Sequence, residues 1–357
     1  MNYRVLAINP GSTSTKIAVY DDENLIFEKS ISHSAQELAP YNRVIEQFEF
    51  RRELIISVVV NEGGIPLDSL SAVVGRGGML PNMKGGGYRV NQAMQDIIWE
   101  DGISPHASNL GAILAHSIAE PQGIPAYIYD AVTSDELTEV AKITGMPEIT
   151  KQSLCHVLNM KAVARKVAAK YGKKYEDMNM IIAHLGGGLS LSVHHGGRIV
   201  DCIRDDEGPF APERSGGIPA LYMIDLCYSG EYTKQEMVKK VRGKGGFAGY
   251  LETQDLRDVL AMIEKGDKKA ELLFEAMTYQ IAKGIGTLSP VLSGNYDCIV
   301  LTGGMAYSEK FTEKIAERVK FIAPVEIVPG ENEMEALAFG ALRLVSGQEE
   351  AKEYVRV

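Results

Sequence analysis

The architecture of this chain can be read from the stretch Val5-Leu6-Ala7-Ile8-Asn9-Pro10-Gly11-Ser12-Thr13-Ser14-Thr15-Lys16. Its four leading apolar residues predict a buried strand, and the chain returns as a second strand over 17–20. Between the strands lies a small loop that is rich in hydroxyl groups. Backbone N–H groups in such a turn form an anion-binding concavity, to which Ser12 adds a hydroxyl and Lys16 a positive charge. The stretch predicts a phosphate-binding loop, although a β-hairpin with a polar tip has the same pattern.

The same plan occurs again half a chain later. Strand Met180-Ile181-Ile182-Ala183 leads into His184-Leu185-Gly186-Gly187-Gly188, and the chain returns as a strand over 189–193. Two strand–glycine turn–strand units at this separation favour a duplicated domain, with a phosphate held between the halves. The second unit therefore strengthens the phosphate interpretation of the first.

Length and charge limit the function classes. At 357 residues the chain is long for a single core, which predicts two domains. Its 47 acidic and 37 basic residues give a net charge of −10. A nucleic-acid surface needs a basic face, so no nucleic-acid partner is expected, whereas a nucleotide needs only a few local cations.

The apolar runs and the cysteines indicate the compartment. The N-terminal apolar run is too short for a secretory leader, and no segment could span a membrane, so we expect a cytoplasmic protein without a membrane partner. Cys155, Cys202, Cys227 and Cys298 are scattered and form no C-x-x-C pair. Reduced, buried thiols are therefore expected rather than disulfides or a zinc site.

Strands alternate with helices in each half, and each half opens with a three-strand meander, which predicts an α/β fold with sheets covered on both faces. Strands are predicted at 4–8, 15–20, from 25 onward, 71–74, 125–129, 180–184, 189–194, 198–203, 298–301 and 325–328. Helices are predicted at 34–61, 91–100, 109–119, 153–171, 219–229, 233–241, 254–265, 268–292 and 335–346, and a flexible section at 79–88.

Chemistry-bearing residues gather where strands end, which is where ligands bind in open α/β sheets. The candidates are Asn9, Lys16, Arg76, Asp130, His184 with Gly186-Gly187-Gly188, Arg214, Gly303-Gly304 and, in a loop before the last helix, Glu333. Arg76 and Arg214 each stand beside glycines, and a guanidinium fork matches carboxylate or phosphate oxygens. A surface arginine next to a turn is the alternative for each.

Asp130 and Glu333 could hold Mg²⁺, which prefers oxygen ligands and takes one or two protein carboxylates together with phosphate oxygens. A helix N-cap is the alternative role for Asp130, and a solvated first helical turn is the alternative for Glu333.

Several other motifs are absent or weak. The sequence has no P-loop motif, no H-E-x-x-H and no G-x-S-x-G, and 243–246 is interpreted as a loop. His194 and His195 are expected to be exposed at a hairpin end.

Taken together, these stretches resemble the acetate and butyrate kinase (acetokinase) family, within the sugar kinase, Hsp70 and actin group of ATP-binding proteins. The stretches that carry the resemblance are 7–16, 183–188, 213–216, 301–304 and 332–333, and they follow one another in the family's order along the whole chain. Two further stretches, 73–78 and 153–159, resemble the butyrate kinase branch in particular.

The resemblance implies a two-domain actin-like ATPase (ribonuclease H-like) fold, with duplicated mixed β-sheet domains flanked by helices around a central cleft. Residues 1–152 plus 335–357 would form the carboxylate side and 153–334 the nucleotide side. The domains would hinge and close on the substrates. A homo-oligomer, at least a dimer, is expected.

The implied activity is reversible, in-line transfer of the ATP γ-phosphoryl group to a short-chain fatty acid such as butyrate or a branched acid, giving the acyl phosphate and ADP. Three alternatives stay open. The first is an acetate or propionate kinase, and the second is a sugar kinase that uses Asp130 as a general base. The third is a non-enzymatic protein that binds ATP.

The resemblance also implies roles for individual residues. Arg76 and Arg214 would clamp the carboxylate and the phosphoryl group, and His184 would donate to a phosphoryl oxygen. Asn9, Asp130 and Glu333 would organise Mg²⁺, with Glu335 as a competitor of Glu333. The residues expected to contact the nucleotide are Lys16, Ser12, Gly186, Gly187, Gly188, Gly303, Gly304 and Met305.

One departure from the family pattern concerns the acyl chain. Acetate kinases carry Arg-Val-Val-His-Gly-Gly where this chain has Arg76 followed directly by Gly77-Gly78. Glycines in place of bulky residues beside the arginine are expected to open space for a longer acyl chain.

Overall fold

A computed structural model of the chain describes residues 2–100 and 102–356. Its strands are β1 (Arg4–Pro10), β2 (Ser14–Asp21), β3 (Asn24–Ser32), β4 (Ala72–Arg76), β5 (Gly87–Arg89), β6 (Ala126–Tyr129), β7 (Met180–Leu185), β8 (Leu189–His195), β9 (Arg198–Ile203), β10 (Cys298–Gly303), β11 (Val325–Pro329) and β12 (Lys352–Glu353). Its α-helices are α1 (Ala35–Leu38), α2 (Phe48–Ser57), α3 (Gln92–Trp99), α4 (Leu110–Ala119), α5 (Glu139–Lys142), α6 (Val157–Lys170), α7 (Ala220–Tyr228), α8 (Lys234–Val241), α9 (Gly246–Leu251), α10 (Leu256–Glu264), α11 (Lys268–Leu288), α12 (Glu309–Val319) and α13 (Glu333–Val345).

The described residues form two compact units. Unit 1 runs to Asp135 and takes up the chain again from Asn332, and unit 2 is Glu136–Glu331. Residues 136–152 belong to unit 2 because they pack on its sheet: the Thr138 backbone N–H donates to the Val200 carbonyl at 3.0 Å, and Lys151 pairs with Asp201 at 3.2 Å.

Unit 1 is built on a mixed sheet with strand order β12-β5-β6-β4-β1-β2-β3. The antiparallel meander β1-β2-β3 is present as predicted, and β1, β4 and β6 run parallel to one another. Helix α13 packs on β1 and β4, so the last long helix returns to the first sheet. The buried core lies between this sheet and its helices, which places three parallel strand ends at one edge.

Unit 2 repeats the plan with strand order β11-β10-β7-β8-β9. Its meander β7-β8-β9 is antiparallel, whereas β7, β10 and β11 are parallel. Separate apolar clusters cover the two faces of this sheet, which is why β7 and β10 are buried along their whole length. The predicted duplication of a meander followed by helical crossovers is confirmed.

Several sequence expectations were wrong. The helical stretch predicted over 34–61 is interrupted at 39–43, and α9 begins inside the segment interpreted as a loop. Helix α12 was missed, as were the short strands β5 and β12. The section 79–88, which was predicted to be flexible, packs into the core through the fully buried side chains of Leu80 and Met83.

His194 and one cysteine also differ from expectation. His194 is fully buried in β8, where it is hydrogen bonded to the hydroxyls of Tyr175 (2.7 Å) and Ser192 (2.8 Å), whereas His195 is exposed. The four cysteines are free as expected, but Cys227 on α7 is exposed. No helix in the described ranges has both the length and the apolar character that crossing a bilayer requires.

Candidate active site

The carboxyl ends of β1, β4 and β6 bring three predicted site residues to one edge of the unit 1 sheet. Asn9 lies at the end of β1, Arg76 ends β4 and Asp130 directly follows β6. In the parallel register Ile8 pairs with Gly75, and Arg76 pairs with Tyr129. Neighbouring strands are about 4.8 Å apart, so the sheet alone places these residues side by side.

Glu333 completes a hydrogen-bonded group with Asn9 and Arg76. Asn9 Nδ2 donates to Glu333 Oε2 at 2.6 Å, and Arg76 Nη1 lies 3.1 Å from Glu333 Oε1. A longer contact of 3.4 Å joins Arg76 Nη1 to Asn9 Oδ1. Glu333 reaches this group because it begins α13, which packs on β1 and β4. Glu335 contributes instead to the raised pKa of Tyr20. Burial is the main cause that raises this pKa to about 12, and the negative charge of Glu335 raises it further.

The Arg76 guanidinium has a buried donor that lacks a partner among the described residues. Its Nε–H is buried and makes no hydrogen bond to any described residue. A buried, unsatisfied donor costs free energy unless an acceptor occupies the space. Because the group is cationic, an oxyanion is the acceptor that suits it.

Asp130 has an unusual backbone conformation. Its φ of +41° lies in the left-handed region, which residues other than glycine seldom adopt. The carboxylate is buried, and its Oδ1 accepts from the Gly86 N–H at 2.7 Å. No helix begins directly after Asp130, since the next one, α5, begins at Glu139 with Thr138 as its N-cap, so the helix N-cap alternative was wrong.

The loop between β1 and β2, which is predicted to bind phosphate, is held in place by Arg51, a buried residue of α2. Its Nη1 donates to the carbonyls of Gly11 (2.8 Å) and Ser14 (3.1 Å), and its Nη2 to that of Ser12 (3.3 Å). Burial lowers the pKa of Arg51 to about 10. Lys16 is exposed directly across from Asn9 in the β1–β2 ladder, so both side chains lie on the same face.

The glycines after Arg76 do not open space, so that expectation was wrong. A Cβ at Gly77 would lie 2.5 Å from the Cβ of Ala131, and one at Gly78 would lie 2.7 Å from the Cα of Asn109. The two glycines instead permit close backbone packing around the Arg76 loop.

In unit 2, the imidazole ring of His184 is stacked on a second imidazole ring. Its ring lies parallel to that of His156, with centroids 3.9 Å apart and an interplanar angle of 11°. Asn159 Nδ2 donates to His184 Nδ1 at 2.9 Å, so the neutral ring carries its proton on Nε2. His156 Nδ1 is 2.8 Å from Ser190 Oγ. The pair presents ring nitrogens at the carboxyl end of β7.

Arg214 lies near the second glycine turn. A Cβ at Gly188 would lie 3.8 Å from Arg214 Nε, which places the guanidinium against the turn. Arg214 pairs with Asp205 and with Glu213, each at 3.2 Å. The guanidinium is thus oriented by two carboxylates and is partly exposed.

A cavity of about 1140 Å³ lies in unit 2 beside this turn. Gly186 and Gly187 line it on one side, and Gly304 and Met305 on another. Gly188 is not among its lining residues. Gly303 lies just outside it with a φ of +92°, where a Cβ would clash with the Leu185 carbonyl at 2.4 Å. The cavity adjoins the carboxyl ends of parallel β7 and β10, the usual ligand position in such sheets.

Sequence reasoning missed several residues around these sites. His156 precedes α6 within the stretch 153–159, for which the sequence predicts no role in the site. Its pairing with His184 depends on tertiary structure. Arg51 belongs to a charged helix and gave no local signal. Asp255 and Arg257 line the cavity from the N-terminus of α10, where the pattern indicates only a helix cap.

The chain is similar to known proteins both in sequence and in fold. A sequence model of the acetokinase family matches residues 151–355, more than half of the chain. Butyrate kinase 1 of Clostridium acetobutylicum is 51% identical over 354 residues, covering 99% of this chain and 99% of that protein. Butyrate kinase 2 of the same organism is 48% identical over 356 residues, covering 99% of this chain and 100% of that protein.

Among solved structures, the acetate kinase of Porphyromonas gingivalis matches with a TM-score of 0.78 at 18% identity, covering 94% of this chain and 98% of that one. At this identity the likeness shows the fold alone. That fold is the actin-like ATPase fold, so the predicted fold class is confirmed.

Proposed function

We propose that this chain, which belongs to the acetokinase family, transfers the γ-phosphoryl group of ATP to the carboxylate of butyrate or a similar short-chain fatty acid. In this reaction a carboxylate oxygen forms a bond to the γ-phosphorus as the bond from that phosphorus to the β–γ bridging oxygen breaks. The electron pair leaves with ADP, and the reverse reaction makes ATP. The family match and the whole-chain butyrate kinase relatives support both the kinase activity and this class of acceptor.

The environment of Arg76 supports the binding of the acceptor carboxylate. A carboxylate is already a nucleophile, so the reaction needs orientation and positive charge rather than a strong base. Arg76 lies at the end of a parallel strand and is held by Glu333, and its buried Nε–H lacks a partner among the described residues. We therefore assign Arg76 to the carboxylate and the transferring phosphoryl group.

The unit 2 cavity supports the binding of the nucleotide. Its volume exceeds that of typical small-molecule pockets and suits a nucleotide. Gly186 and Gly187 would approach the β-phosphate closely, and Gly304 and Met305 would face adenosine. His184 Nε2–H and the stacked His156 would donate to phosphoryl oxygens, together with Arg214. Lys16 and Ser12 would neutralise and bind phosphate from the first loop.

The residues of unit 1 fit a magnesium ion. Glu333 offers a carboxylate and Asn9 an amide oxygen within one hydrogen-bonded group, and Asp130 adds a carboxylate at a neighbouring strand end. The described residues contain no group of three or more His, Cys, Asp or Glu that could hold a metal ion by themselves, so such an ion would depend on phosphate oxygens as well. A bound Mg²⁺ would supply charge neutralisation at the β- and γ-phosphates.

A hydroxylamine trap tests this function. The chain is incubated with ATP, Mg²⁺ and acids of two to five carbons, and acyl phosphate is trapped as the hydroxamate while ADP is measured. We expect hydroxamate and ADP in equal amounts, with butyrate or a branched acid preferred. A preference for acetate or propionate would support the kinases of shorter acids. ADP release with sugars and no hydroxamate would support a sugar kinase, and ATP binding without acid-dependent ADP release would support a binding protein.

The expected oligomer has a suitable surface in helix α7. None of the nine residues of α7 is buried in the chain, although most are apolar. Leu221 is 76% and Tyr228 is 87% exposed, and Tyr222, Ile224 and Leu226 are exposed as well. Exposed apolar patches of this size mark interaction surfaces. We assign the α7 face to contact with a second copy of the chain.

Area and charge support this choice of partner. Taking ~200 Å² for a fully exposed tyrosine, Tyr222 and Tyr228 together expose about 300 Å². The exposed aliphatic residues add a comparable area, which approaches the ~800 Å² per partner of a standard interface. The adjoining groove between α7 and α8 is bordered by Lys234 and Arg242, whereas α7 carries Asp225. Two copies related by a twofold axis would therefore match apolar and charged groups reciprocally.

A further inference from the structure

The chain that follows helix α13 packs against the start of β5 in unit 1, where strand β12 pairs with β5 in parallel. Ahead of β12, Glu349 Oε1 accepts from the Gly87 backbone N–H at 3.2 Å. Within β12, Lys352 Nζ donates to the Gly85 carbonyl. A Cβ at Gly86 would lie 2.5 Å from Lys352 Nζ and 2.8 Å from Glu349 Oε1. Both side chains therefore pack directly on the backbone of residues 85–87, which we call the glycine segment.

The glycine segment binds Asp130 through both backbone groups of Gly86. The Gly86 N–H donates to Asp130 Oδ1 at 2.7 Å, and the Asp130 N–H donates to the Gly86 carbonyl at 3.1 Å. Asp130 is buried and has a φ of +41°, a backbone conformation that persists only where the surrounding contacts hold it. The position of the Asp130 carboxylate therefore depends on the position of the glycine segment.

Glu349 also holds Tyr129, the buried residue that directly precedes Asp130. The Tyr129 hydroxyl donates to Glu349 Oε2 and accepts from Arg343 Nη2 at 2.8 Å. Arg343 Nε donates to Glu349 Oε2 at 3.3 Å, and the guanidinium lies 5.1 Å from the centroid of the Tyr129 ring. The Glu349 carboxylate therefore connects the glycine segment, the end of β6 and the end of α13.

We propose that Glu349 is a positioning residue for Asp130, because its carboxylate holds the two segments that fix Asp130 in place. Oε1 binds the glycine segment, and Oε2 binds Tyr129. The proposal rests on the proposed function, which gives Asp130 to the Mg²⁺ site. Glu349 acts by orienting Asp130, and a misplacement of about 1 Å in such a group costs about 100-fold in rate.

A double-mutant cycle tests whether Glu349 acts through Asp130. We expect Glu349→Ala to lower kcat by about 10- to 100-fold. The KM of butyrate should stay near normal, because Arg76 is held by Glu333 rather than by the glycine segment. In the Asp130→Asn background the same substitution should cost less than about twofold, because the carboxylate through which it acts is already absent. Glu350→Ala removes the next carboxylate along the chain, which is exposed, and should leave kcat unaltered.

The cycle separates positioning from a general weakening of unit 1. Weakening would cost the same factor with Asp130 and with Asn at that position, and it would raise the KM of butyrate as well. An equal fold loss in the two backgrounds would therefore overturn the proposal, as would a normal kcat in Glu349→Ala. Asparagine suits this background because it is enriched among the residues that adopt a positive φ.

Amide hydrogen exchange tests the same contact without turnover. In Glu349→Ala the Gly86 amide, which donates to Asp130, should exchange at least about tenfold faster, because exchange follows local opening. Glu350→Ala should keep the rate of the unmodified chain. Unchanged protection at Gly86 would overturn the proposal even where kcat falls. If the unmodified chain forms hydroxamate from no acid at all, it is the proposed function that fails, and exchange at Gly86 still shows whether Glu349 holds the partner of Asp130. The two failures are therefore distinguishable.

Discussion

The imidazole rings of His156 and His184 are stacked 3.9 Å apart, although the two residues belong to different elements, the start of α6 and the end of β7. Ser190 fixes one ring and Asn159 fixes the other. Each ring is therefore held in place at its Nδ1. A rigid pair of this kind is preorganised for a phosphoryl group, which needs donors already in place.

We expect His184→Ala and His156→Ala each to lower kcat by about 100- to 1000-fold, the usual cost of removing one preorganised donor. The KM of ATP should change little, because neither ring lines the unit 2 cavity proposed to bind the nucleotide. Steady-state kinetics with butyrate measure both values. His195→Ala removes an exposed histidine whose ring binds Asn179 and should keep normal turnover. A kcat within a few-fold of normal in both stacked-ring variants would refute their role.

Arg76 and Arg214 can be tested as charge-stabilising groups. We expect Arg76→Ala and Arg214→Ala to lose about 100- to 1000-fold in kcat while the fold persists. Arg76→Lys should recover little, because an ammonium does not reproduce the paired N–H groups of a guanidinium. Circular dichroism and kinetics give the two readouts. Arg356→Ala breaks an exposed ion pair with Glu100 and should have no kinetic effect. Near-normal turnover in both arginine-to-alanine variants would defeat the assignment.

Substitutions at Glu333 and Glu335 test which of these two carboxylates is the metal ligand. Glu333 shares a hydrogen-bonded group with Asn9 and Arg76, whereas no such contact joins Glu335 to them. We therefore expect Glu333→Gln to raise the Mg²⁺ concentration required for half-maximal activity and to lower kcat, because a carboxylate is the stronger magnesium ligand. Titration of activity with Mg²⁺ measures this change. Glu335→Gln is the matched substitution, and a larger shift there than at Glu333 would reverse the choice.

Buried His194 predicts a loss of stability in acid. Burial is the main cause that lowers its pKa to about 3 from 6.5, and the charges of Lys161 and Arg165 lower it further. The unfolded chain then binds more protons between these values, so stability falls as pH drops below 6.5. The loss from this group approaches ~1.4 kcal/mol per pH unit. Urea midpoints from pH 4 to 8 should show a shallower acid slope in His194→Gln and an unchanged slope in His195→Gln. Equal slopes in all three proteins would contradict the prediction.

The α7 face can be tested by adding charge. Leu221→Glu and Tyr228→Glu place a carboxylate in the apolar face, and each should shift the protein toward monomer in sedimentation equilibrium, because burying an unpaired charge is costly. Val140→Glu changes a similarly exposed valine on α5 and should leave the mass unaltered. A wild-type chain that is monomeric at micromolar concentration, or variants that remain assembled, would remove this surface from consideration.

The two meanders, the parallel strands and the positions of most candidate site residues at strand ends could be predicted from local pattern. Apolar runs end at Asn9, Arg76 and His184, which lie at or near the carboxyl ends of their strands, and ligand sites follow strand ends. Duplication of the pattern indicated two sheets, and the motifs indicated the family. These conclusions depend on short-range order along the chain, which hydrophobic periodicity records directly.

Other features depend on residues that are far apart in sequence. Glu333 meets Asn9 only because α13 packs back on β1, and His156 meets His184 only because α6 packs beside β7. Gly77 and Gly78 were expected to open space, but they admit the backbones of Ala131 and Asn109 instead. The sequence shows that a glycine lacks a side chain and that Arg51 carries a positive charge. It does not show which distant residues will pack against them. The sequence thus specified which groups end each strand, and long-range packing decided which of those groups meet.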